Sequence, residues 1–96
     1  MENMEMVAYI YNADNFPQTF RAGDKLYVMP GSEVVQGKIH LLDTENGPQI
    51  KRIYADVYPD AYCLTDELPG NEPQKEANPA IIGHVVGYER MFRAED

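Results

Sequence analysis

Turn-forming residues cut this chain into short pieces, and that limits its fold more than any other feature. Short runs rich in β-branched and aromatic side chains alternate with clusters of Gly, Pro, Asn and Asp. No stretch sustains the 3.6-residue apolar period of a long amphipathic helix. Strands are predicted over Met6–Tyr11, Lys25–Met29, Lys38–Asp43, Gln49–Asp56, Ala61–Thr65 and Ile81–Tyr88. The breaks carry turn chemistry: Gly23 in RAGD, Pro30-Gly31 in MPGS and Asn46-Gly47 in TENGP. The Asn-Gly pair predicts a hairpin whose arms are Lys38–Asp43 and Gln49–Asp56. DELPGNEPQKEANP, residues 66–79, holds three prolines and several charges and is predicted to be a long surface loop. RMFRAED, residues 90–96, is expected to fray or to form a short helical turn. The pattern as a whole predicts a mostly β fold, a small roll or barrel-like sheet.

A chain of 96 residues makes one domain, 1–96, with its core expected over about residues 6–90. No apolar run approaches the roughly 20 residues that span a bilayer, and the acidic start MENMEM lacks the basic region of a secretory signal. No membrane association and a cytoplasmic location are the expectation. Cys63 is the single cysteine, so no disulfide can form within the chain and a reducing compartment fits. As a nucleophile it would need a paired histidine; a small buried apolar residue is the commoner role. One cysteine with His40 and His84 scattered along the chain shows no metal-ligand spacing, and no metal or cofactor is expected.

Eight basic and sixteen acidic residues leave a net charge of −8. A chain this acidic repels a phosphate backbone, and no basic stripe or helix-turn-helix pattern offsets the repulsion. Seven tyrosines nearly all fall on or beside predicted strands. Good β-formers covering a sheet face account for them; an aromatic-rich partner surface is the alternative.

Candidate chemistry centres on QIKRIYADV. Strand alternation sets Ile50, Arg52 and Tyr54 on one face and Lys51, Ile53 and Ala55 on the other. A lysine turned inward with apolar neighbours loses hydration, which favours its neutral form and suits it to act as a general base. The commoner outcome is an apolar stem lying on the surface with the head in water. A lysine base needs a hydroxyl nucleophile. Ser32, in a turn, is the only serine, and Thr19, Thr44 and Thr65 have no signature of their own.

DNFPQTFRAGDKLYV followed by GKIHLLDTENGPQIKRI resembles the C-terminal domain of LexA-type and phage-repressor proteins, the Ser–Lys self-cleaving peptidases. That family shows Asp-Ser-Met-x-Pro-Thr-Phe, a Gly-Asp turn, an apolar strand, a Gly-x-Ile/Val strand, Val/Ile-Lys-Arg-Ile/Leu and a closing Ile-Ile-Gly-Arg-Val-Val strand. Here Asp14, Thr19, Phe20, Gly23, Asp24, Leu26, Val28, Gly37, Ile39 and Ile50–Ile53 stand at matching positions. CLTDE, residues 63–67, is similar to the strand before the family's variable loop, and IIGHVVG, residues 81–87, to its closing strand, with His84 in place of the usual Arg. The likeness runs from Asp14 to about Tyr88.

The resemblance implies a LexA/signal-peptidase type fold, with Lys51 at the position of the catalytic base and Asn15, 36 residues earlier, at that of the nucleophile. An asparagine amide is no nucleophile at neutral pH. Pro17 also stands one place early against the family's Met-x-Pro. The Ala-Gly or Cys-Gly bond that family members cut lies before the nucleophile; the only Ala-Gly here, Ala22-Gly23, follows it. The expectation is a non-catalytic LexA-like domain of a repressor-type transcriptional regulator that mediates homodimerisation. DNA would be read by a separate helix-turn-helix domain not contained in these residues. Two alternatives stay open: an active Ser–Lys-type peptidase with a displaced nucleophile, and a peptide-binding module that uses the old cleavage cleft.

Overall fold

The computed structural model describes residues 5–90. The expected terminal turn lies outside them beyond Arg90. The described residues form seven strands and no helix: β1 (Val7–Ile10), β2 (Lys25–Pro30), β3 (Ile39–Thr44), β4 (Gly47–Tyr54), β5 (Tyr62–Thr65), β6 (Gln74–Glu76) and β7 (Ile81–Glu89). All pair antiparallel in one sheet of order β1-β2-β7-β3-β4-β5-β6. The mostly β expectation holds, and each of the six anticipated strands has an observed counterpart within about two residues at either end. Barrel-like closure is not among the pairings, since the order ends at two edges, β1 and β6.

The loop expected over residues 66–79 contains the short strand β6, in register with β5 through Tyr62↔Glu76, Cys63↔Lys75 and Leu64↔Gln74. Its side chains are exposed, so no apolar alternation marks it in the sequence. The hairpin forms where Asn46-Gly47 predicts it, with Thr44 opposite Gly47. Its turn differs from the type I′ that Asn-Gly favours. Type I′ needs positive φ at both central residues, here Glu45 and Asn46, and neither has it; the positive φ, +94°, falls on Gly47 just after them. The Thr44 hydroxyl accepts from Asn46 N (3.2 Å) and donates to the Gly47 carbonyl (2.6 Å), closing the turn from its side.

Apolar residues pack on both faces of the sheet. Tyr11, Phe16, Phe20, Leu26, Val28, Ile39, Leu41 and Ile50 form the larger cluster. Leu42, Ile53 and Leu64, with Val34, Tyr62 and Ile81 against them, form the smaller one on the opposite face. Alternation along β3 and β4 divides Leu41 from Leu42 and Ile50 from Ile53. Lys51 therefore shares its face with Ile53, as the strand pattern predicts, but Ile50 on the other face is just as deeply buried. The sheet curls over the larger cluster, so the Tyr9 hydroxyl on β1 reaches the Pro48 carbonyl at the start of β4 (3.3 Å).

β7 lies between β2 and β3, and Gly83 permits that closeness: a Cβ there would sit 2.2 Å from the Met29 carbonyl oxygen. The end of β7 is pinned by a buried carboxylate. Asp24 accepts from Arg90 Nε (3.0 Å) and Nη2 (2.9 Å) and from the Arg21 amide (2.9 Å). The last of these closes the turn around Gly23; the ion pair to Arg90, 66 residues away, is the larger constraint.

Candidate functional site

The segment carrying Asn15 joins β1 to β2. Its frame is aromatic: Tyr11 and Phe20 pack with tilted rings, centroids 5.5 Å apart, Phe16 meets the edge of Phe20 at 6.3 Å, and Tyr88 meets it from β7 at 5.4 Å. Pro17-Gln18-Thr19 loops over this cluster, with the Phe20 amide bonded to the Phe16 carbonyl (2.9 Å). Proline at 17 suits a turn whose next residues need no amide from it. The segment is clamped from outside by Glu67: its amide donates to the Asn15 carbonyl (2.8 Å), and its carboxylate accepts from the Gln18 amide (2.7 Å) and the Thr19 hydroxyl.

Both ends of the Asn15 amide are engaged. Nδ2 donates to the Ile50 carbonyl (2.9 Å) and Oδ1 accepts from the Tyr11 hydroxyl (3.1 Å), which itself accepts from the Phe16 amide (2.8 Å). Burial pushes the Tyr11 phenol above its ordinary range, which keeps the donated proton in place. A serine hydroxyl at position 15 is too short to span the same two partners.

Lys51 arrives on β4, one residue beyond the carbonyl that Asn15 holds. Its Nζ donates to Asp66 Oδ2 at 2.9 Å, with side-chain exposures of 18% for the lysine and 1% for the aspartate. Asp66 also accepts from the Leu68 amide (3.0 Å) and from Asn71 Nδ2 (3.1 and 3.2 Å). Burial raises the Asp66 pKa, but the hydrogen bonds from Lys51, Leu68 and Asn71 outweigh it, and the carboxyl lies below its ordinary range. Asp66 is thus an anion at neutral pH, and the lysine faces a full counter-charge.

Asn15 and Lys51 line one cavity of about 280 Å³, together with Tyr9, Ile50, Asp66 and Asn71. The fold thus brings together the two residues singled out from the sequence. Ser32 and the three threonines do not line it; Ser32 sits in the exposed β2–β3 connection and Thr19 is spent on Glu67. Cys63 is buried on β5, and His40 and His84 face each other across β3 and β7. No group of three metal-binding side chains occurs among the described residues, and no described helix is long and apolar enough to cross a membrane.

Sequence reasoning missed Asp66, Glu67 and Tyr11. The acidic pair follows a strand end, where carboxylates usually face water, and only the tertiary fold shows one turned to Lys51 and the other to the Asn15 segment. Tyr11 reads as one more strand tyrosine. Comparison with protein-family models gives no match, and comparison with curated protein sequences gives none.

Proposed function

We propose that the chain is a non-catalytic LexA-like domain of a repressor-type transcriptional regulator, and that it works by homodimerisation and not by peptide cleavage. The observation that carries this reading is the state of the shared cavity. Asn15 is fully engaged as a structural amide, and Lys51 is held by an ionised Asp66. A Ser–Lys site needs a hydroxyl within reach of a lysine free to take its proton; here the one is replaced and the other is committed to a carboxylate.

The two sheet edges support the dimerisation part. β6 reads Gln-Lys-Glu, the charged type of edge that discourages pairing, whereas β1 reads Val-Ala-Tyr-Ile and carries no charge. Ile10 and Val7 on β1 are exposed at 49% and 38%. A second copy paired along β1 would extend the sheet and cover them. DNA would be met through a separate helix-turn-helix domain, in keeping with the −8 charge of these residues, and the setting is cytoplasmic.

Sedimentation velocity at micromolar to submillimolar concentration tests the reading. A dimer that Ile10→Lys converts to monomer supports it. A chain that stays monomeric at the highest concentration refutes the dimerisation role.

A further inference from the structure

His40 has no solvent exposure and sits on β3 between β7 and β4. Its Nε2 lies 2.9 Å from the Val35 amide nitrogen and its Nδ1 lies 2.8 Å from the Lys38 carbonyl oxygen. An amide can only donate, so Nε2 must present its lone pair. A carbonyl can only accept, so Nδ1 must carry the hydrogen. The two partners together fix one tautomer of a neutral ring. A second proton, on Nε2, would set an N–H against an N–H.

The surroundings add no compensation for a charged ring. From β7, His84 faces it in register with ring centroids 6.1 Å apart. From β4, Lys51 faces it in register. Met29 on β2 pairs with His84 and is uncharged. The nearby carboxylate, Asp66, is already taken by Lys51. Glu33 and Lys38, in the β2–β3 connection, are exposed. Burial first, and then His84, push the His40 pKa below its ordinary value, against the opposing pull of the Lys38 carbonyl.

The β2–β3 connection, residues 31–38, depends on this ring. Val34 packs on the smaller apolar cluster, the Gly37 amide donates to the Ile53 carbonyl (2.8 Å), Arg52 Nη1 donates to the Gly37 carbonyl (2.7 Å), and the Ala55 amide donates to Gln36 Oε1 (2.6 Å). His40, which titrates near neutrality, holds the connection at the Val35 amide and the Lys38 carbonyl, and only the Val35 bond needs a bare ring nitrogen.

We propose that His40 is a pH-sensitive latch: its neutral ring holds the β2–β3 connection down over the smaller apolar cluster, and protonation releases the connection beside the Lys51 site. The device is independent of the dimerisation reading. The sign follows from a folded state that prefers the neutral ring: the latch is closed above the ordinary histidine pKa and opens as pH falls through the folded value.

NMR of the whole chain tests it. At pH 7 the imidazole nitrogens should report a protonated Nδ1 and a bare Nε2. Between pH 7 and 4.5 the Val35 amide should lose at least about tenfold in exchange protection (roughly 1.4 kcal/mol), in step with the His40 titration, while core amides of β3 and β4 stay protected. His40→Gln keeps an acceptor that cannot titrate, and its Val35 protection should stay level. His84→Gln removes only the facing ring, and both transitions should move to higher pH together. The opposite tautomer, steady Val35 protection through the His40 titration, or loss of all core protection at the same pH would each overturn the latch.

Discussion

Replacing Asp66 by asparagine keeps the shape of a buried side chain and removes its charge. The residue accepts four hydrogen bonds, from Lys51, from the Leu68 amide and, in a bifurcated pair, from Asn71. Breaking a fully buried ion pair costs about 3–5 kcal/mol, because the survivor is left buried without its partner. Lys51 retains 18% of its side-chain exposure and can draw on water, so the expected loss is about 2–3 kcal/mol, a large share of the stability of a domain this small. With a urea m-value of about 1 kcal/mol per molar for a small domain, the unfolding midpoint should fall by about 2–3 M. Far-UV circular dichroism or tyrosine fluorescence can follow the transition, the chain having no tryptophan. Pairing Asp66→Leu with Lys51→Met should cost less than the sum of the two single changes, with a coupling of about 1–3 kcal/mol. A midpoint shift under about 0.5 M, or strict additivity, would refute the ion pair as a structural element.

Other outcomes follow from neighbouring geometry. Asn15→Ala should destabilise by about 1–3 kcal/mol, measured in the same urea titration, because the Ile50 carbonyl and the Tyr11 hydroxyl lose their shared partner. Gly83→Ala places a Cβ against the Met29 carbonyl and should cost about 1–3 kcal/mol by forcing β7 from β2, with amide shifts spreading along both strands. Asp24 and Asp66 both have folded pKa values below 3.8, the first chiefly through its hydrogen bonds to Arg90 and the second through its donors against burial. The unfolded chain then binds more protons near that pH. Their stabilisation is present above about pH 4 and is lost as pH falls through the folded values. A urea midpoint measured against pH should decline there, after an earlier decline beginning near pH 6.5 that His40→Gln abolishes.

Much of the sheet is legible in the sequence because its signals are local. Gly23 and Asn46-Gly47 mark turns, and alternation in QIKRIYADV correctly divides Lys51 from Ile50. β6 was not legible, since Gln-Lys-Glu takes its place only by pairing with Tyr62–Leu64. The site was half legible. Motif order singles out Asn15 and Lys51, and the fold brings both to one cavity. Asp66 and Glu67, which set the state of that cavity, carry no periodic or spacing signal; their roles arise where the end of β5 meets the β1–β2 connection. The Asp24–Arg90 pair is invisible for the same reason, being joined across β2 and β7 and not along the chain.

Asn15 and Lys51 line one cavity, and the proposed function holds that they do not form a catalytic pair. Intact-mass spectrometry of the purified chain, held for days at pH 9–10, tests it most directly. A single uncleaved mass, unchanged by Lys51→Ala, is the predicted result. A cleavage product that accumulates with time and vanishes in Lys51→Ala would contradict the account.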